Sequence, residues 1–266
     1  MADESIFAAL RGGGRIWAVG AIHGEAERLV ALHRGLFERF RPGDRLVYLG
    51  NYGGRGAMVR AAVDELLLFR RNLMAERDAD PADIVFLRGM QEEMWQKLLQ
   101  LQFAPSPVQV LQWMVAQGVE ATLAAYGASS EEATLAAREG VLALTRWTSQ
   151  LRERVRGCDG HFALMSSLRH AAYTDDGALL FVHAGIDPQR PLSAQSDSFW
   201  WGGSGFAAMA EPYDGYRLVV RGFDRRHGGF QQSPVTVTLD AGCGFGGTLM
   251  AACFGPEGGL AERFEV

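Results

Sequence analysis

Lysine is almost absent. Lys97 is the only one, and scattered arginines carry nearly all of the positive charge. There is no basic excess either: the formal charge over 266 residues is −5. That excludes a general nucleic-acid binder of the usual basic kind. Cysteine is scarce. Cys158, Cys243 and Cys253 are odd in number and lack C-x-x-C spacing, so neither a disulfide framework nor a zinc knuckle is expected. A reducing cytoplasm is the expected compartment. No apolar run reaches the ~18 residues of a membrane span. Residues 1–14 also lack the basic-then-apolar order of a signal peptide. Internal repeats and low-complexity tracts are missing.

What is present is a large apolar fraction, 48%, enough for the core of one α/β domain spanning 1–266. Short runs rich in Val, Ile, Leu, Phe and Tyr predict buried strands at 15–19, 45–49, 83–87, 179–183, 217–220 and 235–239. Helical periodicity follows the first three, at 25–40 (Leu29, Leu32, Leu36, Phe40), 56–76 (Val59, Val63, Leu66, Leu67) and 91–101. That alternation implies a parallel sheet. Residues 106–156 give no strand signal. They predict a helical insertion of two or three helices, broken near 127–130. Strands return after the turn at Asp175-Asp176-Gly177, at a spacing that suggests a second sheet built mostly of hairpins. Flexible tails are expected at about 1–13 and 256–266.

Open α/β folds place ligands at the carboxyl ends of strands. Here those ends read Gly20-Ala21-Ile22-His23-Gly24, Gly50-Asn51-Tyr52-Gly53-Gly54-Arg55-Gly56, Leu87-Arg88-Gly89-Met90-Gln91-Glu92-Glu93, Phe181-Val182-His183-Ala184-Gly185, Val220-Arg221-Gly222-Phe223 and Asp240-Ala241-Gly242. In order and spacing they resemble the bacterial type of the serine/threonine phosphatase branch of the calcineurin-like metallophosphoesterases. The family pattern is G-D-x-H-G, G-D-Y-x-D-R-G, L-R-G-N-H-E, F-V-H-A-G, V-H-G-H and D-x-G. The resemblance runs from about residue 16 to residue 254. It takes in Trp113, the segment Thr122-Leu123-Ala124-Ala125-Tyr126-Gly127, and Phe199-Trp200-Trp201, with Gly203 where some bacterial members carry Arg. It implies a sandwich of two mixed sheets flanked by helices, with a helical insertion.

The resemblance also implies a site for two divalent metals that polarise a phosphoryl group and activate a bridging water. Such a pair needs anionic oxygen ligands and imidazoles. The first family Asp is Ala21 here, the bridging Asp is Asn51, the Asn of G-N-H-E is Met90, and the two His of V-H-G-H are Arg221 and Phe223. His23 and His183 are retained. The family's acid dyad falls on Gly54 and Gln91, which do not titrate near neutral pH. The expectation is therefore no bound metals, no catalytic residue and no enzymatic turnover. The chain reads as a pseudophosphatase with a binding, regulatory or structural-subunit role and a protein partner or larger assembly.

Two alternatives stand beside it. One is a sensor that binds a phosphate-containing ligand through Arg55, Arg88, Arg221, His23 and His183. The other is altered single-metal chemistry on His23, Asn51 and His183. Bland readings stand too. His23 and His183 serve as buried, hydrogen-bonded histidines. Arg55 pairs with Glu92 or another acid, and Arg221 with Glu92 or Asp187. Trp200, Trp201 and Phe206 either face a partner or pack under the second sheet, and Cys243 is a buried thiol rather than a nucleophile.

Overall fold

The computed structural model describes residues 6–266. It begins with β1 (Phe7–Leu10) and β2 (Ile16–Val19) and continues through α1 (Ala26–Arg39), β3 (Arg45–Tyr48), α2 (Val59–Glu76), β4 (Ile84–Phe86) and α3 (Met90–Leu98). Four helices then follow without a strand: α4 (Pro107–Ala116), α5 (Val119–Ala125), α6 (Ser130–Glu139) and α7 (Val141–Arg156). The short α8 (His161–Ser166) leads to β5 (Ala171–Thr174) and β6 (Leu179–Val182). Two single-turn helices, α9 (Ser198–Trp201) and α10 (Ser204–Ala207), precede β7 (Leu218–Arg221), β8 (Gly229–Gln232), β9 (Thr236–Asp240), β10 (Met250–Phe254) and β11 (Leu260–Glu265).

Strand parity builds the layers. Successive side chains of a strand point to opposite faces. In β2, Ile16 and Ala18 join the core between the sheets, while Trp17 and Val19 face α1 and α2. In β6, Leu179 and Phe181 enter that same inter-sheet core, and Leu180 and Val182 pack outward with Phe199 and Phe206 of α9 and α10. The strand order is β11-β10-β2-β3-β4 in one sheet and β1-β5-β6-β7-β9-β8 in the other. Both sheets are mixed. The β2–β3 and β3–β4 pairs are parallel and β2–β10 is antiparallel. The helices of the first half cover one outer face by burying a 3.6-period stripe, Leu29, Leu32 and Leu36 in α1 and Val59, Val63, Leu66 and Leu73 in α2.

Several expectations change. The second sheet is not mostly hairpins: β1–β5, β6–β7 and β7–β9 are parallel, and only β5–β6 and β8–β9 are antiparallel. The insertion has four helices, with α6 capped by Ser129, whose hydroxyl accepts the Glu132 N–H. The segments expected to be loose tails carry strands. β1 pairs along β5, and β11 along β10; residues 1–5 of that expectation lie outside the described residues. These strands lack the usual signal. β10 reads Met-Ala-Ala-Cys-Phe, without a β-branched residue, and β11 is a charged edge strand. No helix among the described residues is long and apolar enough to cross a membrane.

Candidate functional site

The loops after β2, β3, β4, β6 and β7 meet at one end of the sandwich. Their backbones hold each other. Asn51 O accepts the N–H groups of Ile22 and His23, and Ala21 N donates to Gly222 O. Gly50 has φ +93, and a Cβ there would lie 2.6 Å from Gly89 N, so only glycine permits this approach. His23, Asn51 and Arg55 also take positive φ, at 54, 56 and 52 degrees, a costly conformation for residues with a Cβ.

Glu92 is the staple. Its carboxylate accepts the N–H groups of Asn51 (2.8 Å), Tyr52 (2.8 Å), Gly53 (3.3 Å) and Gly89 (2.9 Å). Burial pushes its pKa up and those four donors pull it back down. Glu92 pairs with neither Arg55 nor Arg221, because its lone pairs already serve four otherwise orphaned amides.

Proton positions at the two histidines follow from their partners. Asn51 Oδ1 accepts the Gln91 N–H at 2.9 Å, which turns the amide nitrogen toward His23 Nε2 at 3.2 Å. His23 therefore accepts at Nε2 and carries its proton on Nδ1. His183 Nδ1 donates to Leu49 O at 2.6 Å, bridging the two sheets, and leaves its lone pair on Nε2. Among the described residues His23 Nδ1 and His183 Nε2 find no partner. Both rings are fully buried. Phe223 lies parallel to His183 at 5.3 Å and tilted to His23 at 5.9 Å. Burial pushes His23 down to about 3, helped by His183, Arg55 and His227. Burial likewise pushes His183 down to about 4, against the pull of the Leu49 carbonyl. Both are neutral imidazoles at pH 7.

The apolar replacements share one environment. Ala21, Met90, Ala184 and Phe223 belong to the same buried cluster as Leu111 and Met114 of α4, Val119 and Leu123 of α5, and Leu144 and Leu151 of α7. The core of the helical insertion thus runs unbroken onto the strand ends. Hydrogen bonds latch it there. Gln91 Nε2 donates to Gln117 O at 2.8 Å, Gly54 N to Thr122 Oγ1 at 2.9 Å, and Arg55 N to Gly118 O at 3.1 Å. Gly54 has φ +81, and a Cβ there would lie 2.4 Å from Gln91 Cδ.

The arginines do not converge. Arg221 follows the parity of Val219, on the outer face of its sheet. Its guanidinium lies 4.3 Å from the Phe206 ring, pairs with Asp224 at 2.9 Å and donates to Thr238 Oγ1 at 2.9 Å. The sequence pointed to Glu92 or Asp187 as its partner; Asp224, three residues on, takes that place instead. Arg88 pairs with Glu93 at 3.3 Å. Arg55 is exposed and stacks on Phe245 at 4.3 Å. Trp200 and Phe206 are buried, and Trp201 packs on Trp113 at 5.2 Å, so packing wins over an open aromatic patch. Cys243 is buried, donates to Ile22 O, and is pushed up to about 12 by burial, which suits a structural thiol.

Sequence reasoning passed over His227. It donates from Nδ1 to Asp240 at 2.9 Å and lies 4.0 Å from Phe245. Its signal was Asp240, the retained acid of D-x-G. Gln117 and Thr122 were missed as latches because they lie 26 and 68 positions from Gln91 and Gly54.

The sequence matches no protein-family model and no curated protein. Solved structures do match. A candidate diadenosine tetraphosphatase is 24% identical with TM-score 0.57, covering 98% of this chain and 97% of that one. A protein serine/threonine phosphatase from Saccharomyces cerevisiae is 16% identical with TM-score 0.52, covering 98% and 84%. The chain has the calcineurin-like metallophosphoesterase fold. A cold-active protein tyrosine phosphatase is 14% identical with TM-score 0.50, covering 97% and 80%.

The two divalent ions that the sequence resemblance implies would fall at this end of the sandwich, and the donor set here does not fit them. Asn51 directs its oxygen to Gln91 N and its N–H end inward. The His23 Nε2 lone pair already accepts that N–H. Ala21 and Phe223 present carbon, and Met90 presents a soft thioether that suits a hard dication poorly. Two neutral imidazoles without a carboxylate leave two adjacent dications unscreened. Among the described residues no group of three or more His, Cys, Asp or Glu is placed to hold a metal.

Proposed function

We propose that this chain is a catalytically inactive protein on the metallophosphoesterase fold, with a binding, regulatory or structural-subunit role. The observation that carries the reading is the continuity of Ala21, Met90 and Phe223 with the apolar core of the helical insertion. Hydrophobic contact there takes the place of ligand bonds. No titratable group stands where a general acid would act, since Gln91 is tied to Gln117 O. Metal content after purification from manganese-supplemented medium tests this, together with hydrolysis of p-nitrophenyl phosphate, a phosphopeptide and diadenosine tetraphosphate. The expected result is well under one manganese per chain and no turnover. Two metals per chain with turnover would overturn it.

A second reading, binding of a phosphate-containing ligand without cleaving it, is favoured by one observation. Arg55 is exposed at the mouth of the site, held on Phe245, and makes no ion pair among the described residues. Calorimetry with inorganic phosphate, nucleotides and a phosphopeptide separates the two. Binding that disappears in Arg55→Ala supports the sensor, and silence in every titration removes it.

A further inference from the structure

On the helical face of the five-stranded sheet, α1 and α2 leave a groove of about 650 Å³. Its walls follow helical spacing. Ala26, Val30 and Arg34 mark α1, and Met58 at the N-cap of α2 is followed by Ala61, Glu65 and Leu68 along it. Ala26 and Ala61, with their small side chains, leave room between the two helices. Met58 and Leu68 are 44% and 46% exposed, large apolar side chains left at the lip. From Met58 to Arg71 the groove runs roughly 20 Å at 1.5 Å per residue, the length of a helix of three to four turns. The charged lining is Glu27, Asp64, Glu65 and Asp159 against Arg34 and Arg71, an acidic excess.

Two of those acids are held from below. Tyr48 OH donates to His33 Nε2 at 2.8 Å, and His33 Nδ1 donates to Glu65 Oε1 at 2.6 Å. Beside it, Tyr126 OH donates to His161 Nδ1 at 2.9 Å, and His161 Nε2 donates to Asp64 Oδ1 at 2.9 Å. In each relay both ring nitrogens of the histidine have a partner, and both tyrosines and both histidines are buried. Two independent tyrosine–histidine–carboxylate chains, one from β3 and one from the helical insertion, thus end on adjacent residues of α2. They fix acceptor oxygens that a free surface carboxylate would leave mobile, which lowers the ordering cost of binding.

The geometry points to this groove as a docking site for an amphipathic helix of a protein partner, with an apolar stripe of small and aliphatic residues and flanking Arg or Lys that meet Asp64 and Glu65. The site is separate from the strand-end loops, so its fate is independent of the proposed loss of catalysis. The probe is a synthetic 14-residue helical peptide with an Ala/Leu stripe and Arg flanks, followed by fluorescence anisotropy and by amide shifts in the labelled protein. Saturable binding is expected, with shifts within residues 26–34 and 58–71. Asp64→Asn with Glu65→Gln keeps the oxygens that the histidines donate to and removes the charge, so binding weakens tenfold or more. Ala31→Trp, on the exposed rim, should block it without touching either relay. No saturable binding, equal binding of a Glu-flanked peptide, or indifference to both sets of changes would overturn the assignment.

Discussion

At the residue scale, the strand-end loops keep their shape by exchanging one kind of interaction for another. Phe223 fills space between His23 and His183 and joins the insertion's core. Phe223→Ala is expected to cost about 3–5 kcal/mol through lost burial and a residual cavity, read as a lower urea midpoint with unchanged slope; a loss under about 1 kcal/mol would show that the ring is not part of the packing. Glu92 makes the opposite kind of contribution, polar and ionic. Glu92→Gln offers a neutral acceptor and an unwanted donor to four amides, so a loss of roughly 2–3 kcal/mol follows from the value of charged hydrogen bonds. Chemical denaturation of this variant beside Glu93→Gln, whose parent carboxylate pairs with the side chains of Arg88 and Lys97, isolates the effect. Equal losses would refute it.

At the element scale, the insertion is bound to the sheet ends by one apolar seam and three hydrogen bonds. The latch makes a local prediction. In Thr122→Val the Gly54 amide loses its acceptor, and in Gln91→Ala the Gln117 carbonyl loses its donor. Amide exchange near residues 53–55 and 117–122 is expected to speed up about tenfold in the double variant, while the sheet core exchanges as before. Unchanged exchange in the double variant would mean that these two side-chain bonds do not hold the insertion in place. Sequence periodicity foresaw these helices as an insertion, yet it could not say which way their apolar stripes face. A stripe specifies that something must be covered and leaves open what covers it.

At the scale of the whole molecule, buried histidines set the response to acid. Burial lowers His23 to about 3 and His183 to about 4, and it lowers His33 and the half-buried His170 in the same direction. The unfolded chain protonates near pH 6.5, before the folded one. The stability these groups confer is full above pH 6.5 and is lost as pH falls toward their folded values. Glu92, raised by burial, works the other way at the acid end. The expected outcome is a loss of roughly 2 kcal/mol or more per pH unit between pH 6 and 5, measured by urea unfolding across that range. A flat profile would mean that these rings are solvated.

The sequence by itself determined the alternation of strands and helices in the first half, the Gly-framed loops and the absence of carboxylates at Ala21 and Asn51, because periodicity and residue type are local properties. It determined less about the second half, where β5 and β10 are alanine-rich and gain strand character only from buried neighbours on both sides. Tertiary structure alone decided that Arg221 turns to Asp224 and away from the loops, that Glu92 serves amides rather than arginines, and that the insertion's core closes over Met90 and Phe223. The first depends on which face of its sheet Arg221 takes, and the other two on which surfaces meet across long stretches of chain. Parity and packing settle that only once both sheets are in place.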